Sequence, residues 1–146
     1  MKRKSVRIYS FTGTGSCLAL KLAEKLKQEG YVCTGYTVAR FAEDKRLQRL
    51  NDGWKQEIGA SWGEHALVFI GAAGIAIRAI APFVKDKFTD PPVIVLDEKG
   101  TFAIPLLSGH VGGGVTLAKV LAEYTGGRAV ITTATDVQKK FAADVF

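Results

Sequence analysis

Two unbroken apolar runs, Ala66 to Ile70 and Val93 to Leu96, constrain this chain most. A strand without polar alternation has no face to give to water, so it must be covered on both sides, as central strands of parallel sheets are. Other segments fit the same scheme. Val6 to Phe11 is short and mostly apolar and ends in Thr12-Gly-Thr-Gly-Ser16. A helical pattern follows, with Leu18, Leu22 and Leu26 spaced by four and Gly30 as its stop. Tyr31 to Val38 alternates like a strand. The charged stretch Glu43 to Asn51 and the segment Trp54 to Ser61 are predicted as short helices. Gly71-Ala-Ala-Gly74 opens a helix from Ile75 to Phe83, another helix runs from about Val115 to Tyr124, and Ala129 to Thr132 forms the last strand.

Short apolar strands alternating with amphipathic helices predict an α/β fold: a three-layer sandwich around a largely parallel, or mixed, sheet of Rossmann or flavodoxin-like form. The 146 residues suffice for one core, burying roughly 70% of the unfolded surface. A single α/β domain over residues 1–146 is expected. The pattern still running at Lys140 to Phe146 suggests a piece of a longer polypeptide.

The formal charge is +6, which favours an anionic partner. The cations are dispersed: Lys2, Arg3, Lys4 and Arg7 at one end, Lys45, Arg46 and Arg49 in the middle, then Lys85, Lys87, Lys139 and Lys140. No aromatic residues are interleaved with them, so nucleic-acid binding is not expected. No run approaches about 18 apolar residues, so neither a membrane span nor a leader is predicted, and the expected compartment is the cytoplasm. Cys17 and Cys33 lack metal-motif spacing, and Cys17 is expected in the core. No metal site is predicted.

The densest chemical signal is Leu106-Leu-Ser-Gly-His-Val-Gly-Gly-Gly114. As a histidine, His110 is of the residue type whose unperturbed pKa suits proton transfer at neutral pH. Ser108 stands too close to it in sequence for a familiar triad and reads as a cap or a hydrogen-bond partner for a ligand. The amides of Gly112, Gly113 and Gly114, at the start of a helix, suit an oxyanion or carboxylate. Asp136 either orients His110 or is itself a base, and Thr132, Thr133 and Thr135 offer hydroxyls. Arg78 lies one turn after Gly74, so its guanidinium can reach back to that loop and hold a carboxylate. Thr12 to Ser16 looks like a phosphate-gripping turn but lacks the P-loop ending. His65 has no sequence partner and is treated as structural.

Ligands of open α/β sheets bind at the carboxyl edge of the parallel strands. That edge should carry Thr12–Ser16 and Gly71–Gly74. Residues Thr101 to Leu107, interrupted by Pro105, either pair antiparallel with the preceding strand and carry Ser108 to the opposite edge, or form an excursion that leaves it with the other loops. In both cases the following helix and last strand bring Thr132 to Asp136 back to the edge where Ser108, Gly109 and His110 began. Whether Gly71 to Gly74 joins them stays open.

Three ordered segments, Phe69-Ile-Gly-Ala-Ala-Gly-Ile-Ala-Ile-Arg-Ala-Ile-Ala-Pro82, Leu106 to Gly114 and Ile131-Thr-Thr-Ala-Thr-Asp136, resemble the CbiG family. Lys85 to Pro91 and Val95 to Gly100 fit as well, and the first 65 residues match loosely. The resemblance implies a cobalt-precorrin-5A hydrolase of cobalamin biosynthesis, which opens a δ-lactone on the macrocycle with water and releases acetaldehyde. It implies His110 and Asp136 as catalytic candidates. Gly71, Gly74, Arg78, Ser108, Gly109, Gly112, Gly113, Gly114, Thr132, Thr133 and Thr135 become candidates for substrate binding. The substrate is an anionic cobalt-corrinoid whose cobalt belongs to it, so no protein cofactor is expected. Family members usually carry central and carboxyl-terminal domains, which with other pathway enzymes are the expected partners. Where the family more often has Gly-Gly-Ala-Asn, this chain reads Gly112-Gly-Gly-Val115. The alternative reading is a non-catalytic, flavodoxin-like module that binds a tetrapyrrole or nucleotide, and a third is a scaffold domain in a biosynthetic complex.

Overall fold

The computed structural model describes residues 4–43, 46–107 and 113–133. Its first half alternates β1 (Ser5–Ser10), α1 (Gly13–Gln28), β2 (Val32–Thr37), β3 (Gln48–Arg49), α2 (Trp54–Ala60) and β4 (Ala66–Ile70). The second half continues with α3 (Ala73–Ile80), β5 (Val93–Leu96), β6 (Phe102–Leu107), α4 (Gly113–Thr125) and β7 (Arg128–Ala129). Among the described residues the strands form one sheet in the order β3-β2-β1-β4-β5-β6-β7. All pairs are parallel except β5 with β6.

The apolar runs sit where their composition demands. Every residue of β5 is buried, and β4 is buried from Leu67 to Ile70. Alternate side chains of these strands serve two cores. Val68, Ile70, Ile94 and Leu96 pack with Leu22 and Leu26 of α1 and Leu117 and Leu121 of α4. Leu67, Phe69, Val93 and Val95 pack on the other face with Ile58 of α2 and Ala76 and Ile80 of α3. The three-layer α/β architecture follows from these two packed faces.

Three local expectations change. The stretch Glu43 to Asn51 is not a helix among its described residues: Gln48 and Arg49 pair with Tyr36 and Thr37 as an edge strand. Cys17 is exposed rather than in the core. The buried stripe of α1 runs through Gly15, Ser16, Ala19, Leu22, Ala23 and Leu26, and position 17 falls off that face. The last strand is shorter than Ala129 to Thr132, although the Val130 amide still donates to the Ala103 carbonyl at 2.9 Å.

Thr101 to Leu107 takes the antiparallel alternative. Asp97 to Gly100 makes the reversal, with Gly100 at φ +72° and the Asp97 carboxylate accepting from the Phe102 amide at 2.7 Å. Leu107 then lies opposite Val93, the first residue of β5. Pro105, opposite Ile94, has no amide for the ladder, and the register shifts beside it between Ile94 and Val93. Strand β6 therefore ends at the amino edge of the parallel strands, and β7, parallel to β6, heads the same way.

Candidate functional site

The sheet separates the predicted site residues into two groups. At the carboxyl edge stand Gly71, Gly74 and Arg78; at the amino edge stand Gly113 and Gly114, with Thr132 and Thr133 following β7 toward it. The five residues of β4 alone span roughly 17 Å. A ligand touching both groups would have to wrap around a continuous sheet. Ser108, Gly109, His110, Gly112, Thr135 and Asp136 lie outside the described residues.

At the amino edge a cleft of about 250 Å³ is lined by Lys4, Tyr31, Pro92, Gly113, Thr116 and Leu117, among others. Gly113 begins α4, whose Val115, Leu117, Ala118 and Leu121 are buried against the sheet. His65 gains a partner that its sequence neighbourhood does not show: its Nδ1 is 2.6 Å from Ser5 Oγ. Burial, and then the positive charge of Arg7, hold His65 below the usual 6.5. Ser5 itself lines the Gly113 cleft, so the Ser5–His65 pair stands at its rim.

At the carboxyl edge the sheet changes direction between β1 and β4, because the chain leaves β1 toward β2 and returns to β4 on its other side. Helices α1 and α3, which follow these two strands, lie on opposite faces. The loops diverge there and leave a crevice. A cleft of about 440 Å³ fills it, lined by Phe11, Leu50, Trp54, Lys55, Ile75 and Arg78 among others. Gly71 turns the chain out of β4 at φ +151°, its amide donating to the Leu96 carbonyl at 2.9 Å. A Cβ on Gly74 would lie 3.0 Å from Arg78 Nη1, so the guanidinium folds back over Gly74, as the spacing predicts. Trp54 is braced by Phe11, at 5.6 Å between ring centroids, and by Tyr9, at 5.8 Å.

The Thr12–Ser16 turn is already occupied by its own contacts. Thr12 Oγ1 accepts from the Gly15 amide at 2.9 Å and donates to Glu98 Oε2 at 2.7 Å. Ser16 Oγ donates to the Thr12 carbonyl at 2.7 Å and is 2.7 Å from Thr37 Oγ1. A carboxylate thus stands where a phosphate would have to approach.

Among the described residues no cluster of His, Cys, Asp and Glu is arranged to hold a metal ion, and no helix is long and apolar enough to cross a membrane.

Residues 58–136 match the family described as cobalamin synthesis G N-terminal. The chain belongs to the CbiG family. The matched stretch contains Gly71, Gly74, Arg78, the Ser108–Gly114 segment and Asp136. A cobalt-precorrin-5A hydrolase from Salmonella typhimurium is 40% identical over 99% of this chain and 40% of its own length. The enzyme of the same name from Priestia megaterium is 48% identical over 55% of this chain and 21% of its own length. A solved structure described as a putative cobalamin biosynthesis protein G homolog from Sulfolobus solfataricus superposes with a TM-score of 0.67 at 26% identity. That match covers 88% of this chain and 36% of the other. This CbiG chain therefore spans about two fifths of the length of the Salmonella relative.

The sequence reading missed Phe11, Leu50, Trp54 and Lys55 as walls of one cleft. They come from the ends of β1 and β3 and the start of α2, so no local spacing joins them.

Proposed function

We propose that this chain is one α/β domain, the amino-terminal part, of a cobalt-precorrin-5A hydrolase acting in cobalamin biosynthesis. The observation that carries this reading is the 40% identity to the Salmonella enzyme along 99% of the chain. The reaction is the opening of a δ-lactone by water with release of acetaldehyde to give cobalt-precorrin-5B. His110 or Asp136 acts as base toward that water, and the amides of Gly112, Gly113 and Gly114 stabilise the negative charge that develops on the lactone oxygen. Ser108, Gly109, Thr132, Thr133 and Thr135 bind the substrate. Gly113 and Leu107 at the amino edge, with Thr132 and Thr133 heading there, support a common location for these groups.

The substrate is an anionic corrinoid that brings its own cobalt, and the protein supplies binding, orientation and proton transfer without a further cofactor. The net charge of +6 suits a ligand with many carboxylates. The remaining domains of the longer protein, or other pathway enzymes, are the partners, and the compartment is the cytoplasm.

The test is acetaldehyde release from cobalt-precorrin-5A by this chain under anaerobic conditions. Release that disappears in His110→Ala or Asp136→Ala supports a catalytic site within these residues. Corrinoid binding without release assigns the chain to substrate binding, with chemistry needing the rest of the protein. The absence of both release and corrinoid binding overturns the proposal.

A further inference from the structure

The cleft at the carboxyl edge lies across the sheet from Gly113 and Gly114, and its lining differs in kind from that of the amino-edge cleft. Among the described residues no histidine, cysteine, serine or threonine lines it. It has an aromatic and aliphatic wall, two cations and Asp52 as its acid. Such a surface binds rather than reacts.

Each part of the lining restricts the occupant. Trp54 is held from behind, since Tyr9 stacks at 5.2 Å on Tyr36 and at 5.1 Å on Phe69 while also contacting the indole. A braced, half-buried indole is a rigid platform for a flat ring. Lys55 places its ammonium over the Trp54 ring, 5.5 Å from its centroid, so a positive charge already stands at the platform and must move aside for a stacked ring. Arg78, on the opposite wall, is exposed and makes no ion pair among the described residues. Its guanidinium keeps its place over the helix because Gly74 has no side chain. Both cations thus stand at an apolar platform, in a cleft at the low end of the usual range for small-molecule sites.

We infer that this cleft is a second ligand site, which takes a planar conjugated ring carrying a carboxylate. The ring lies on Trp54, and Arg78 and Lys55 receive the carboxylate, Arg78 in bidentate fashion. A free aromatic acid and the rim of a polycarboxylate macrocycle share this chemistry.

Two probes separate them: 2-naphthoate and cobyrinic acid, a stable cobalt-corrinoid polycarboxylate. Binding is followed on the intact chain by ¹H–¹⁵N spectra, with the Trp54 indole resonance as reporter and the Trp62 indole as internal control. Naphthoate is expected to shift the Trp54 resonance saturably and leave that of Trp62 in place. Arg78→Ala should weaken binding about tenfold. Arg78→Lys should recover part of it, because the charge remains while the fork is lost. Gly74→Ala, which crowds the guanidinium, should give an intermediate loss with the fold unchanged.

Competition between cobyrinic acid and naphthoate supports the site and assigns it to a macrocycle rim. Naphthoate binding without competition supports it as a site for a separate small acid. No saturable shift at Trp54 with either probe overturns the inference, as does binding indifferent to Arg78→Ala. None of these readouts depends on hydrolase activity, so the inference and the proposed reaction can fail separately.

Discussion

Thr12 Oγ1 donates a 2.7 Å hydrogen bond to Glu98 Oε2, tying the start of α1 to the turn after β5, 86 residues away. The same oxygen caps the helix by accepting from the Gly15 amide. Thr12→Ala removes both contacts, and the cap dominates because the bond to Glu98 is exposed. The expected loss is about 1 kcal/mol, read as a lower urea midpoint with an unchanged slope. Serine at this position should restore most of the loss.

The Glu98 carboxylate also bears on the flavodoxin-like alternative. An incoming phosphate would meet a negative charge at the helix end, and the Ser16 hydroxyl is already bonded within the protein. Titration with FMN should therefore give no bound, fluorescence-quenched flavin. Stoichiometric quenching that Thr12→Ala abolishes would revive the nucleotide reading.

Asp90 is a second connection between distant segments. Its buried carboxylate accepts from Trp62 Nε1 at 3.0 Å and from the amides of Lys85 and Asp86 at 3.0 to 3.1 Å. Asp90→Ala leaves those donors without their acceptor. The expected cost is about 2–4 kcal/mol in urea unfolding. Asp90→Asn keeps one acceptor oxygen and should cost less than Asp90→Ala.

The parts of the fold legible in sequence were those fixed by local pattern. The four-residue spacing through Leu22 and Leu26 gave α1, and the unbroken runs gave β4 and β5 because both faces of those strands are covered. Strand β3 was not legible: Gln48 and Arg49 are exposed at the sheet edge, so no apolar alternation marks them. The direction of β6 is not legible either, because Thr101 to Leu107 carries the same local pattern both ways. Only its pairing with Val93 to Leu96, a non-local contact, fixes it. The fold-back of Arg78 over Gly74 was legible, since both lie on one helix. The separation of that pair from Gly113 by the whole sheet was not.

The two cysteines should differ sharply in reactivity. Cys17 is exposed, whereas burial pushes the Cys33 thiol up to about 11. Thiolate is the reacting species, so at pH 8 Cys33 is both shielded and protonated. Ellman's reagent should titrate Cys17 promptly in the native chain and Cys33 only after denaturation. Fast labelling of the native Cys17→Ser variant would contradict this burial.

His65 supplies a pH dependence with a definite sign. Burial first, and Arg7 second, lower its folded pKa below 6.5, so the native state resists protonation more than the unfolded chain does. Between the two pKa values the unfolded state binds more protons, and stability rises with pH through that window. The stability associated with neutral His65 is therefore complete above the unfolded value. It declines as pH falls below about 6.5 and levels off below the folded pKa. Proton NMR of the His65 ring should give a midpoint under 6.5, and Arg7→Met should raise it by removing the repelling charge. Ser5→Ala removes the hydroxyl 2.6 Å from Nδ1. A midpoint that rises in this variant identifies the hydroxyl as donor to the neutral ring, and one that falls identifies Nδ1–H as the donor. A His65 midpoint above the ordinary value, or one that falls in Arg7→Met, would reverse this assignment.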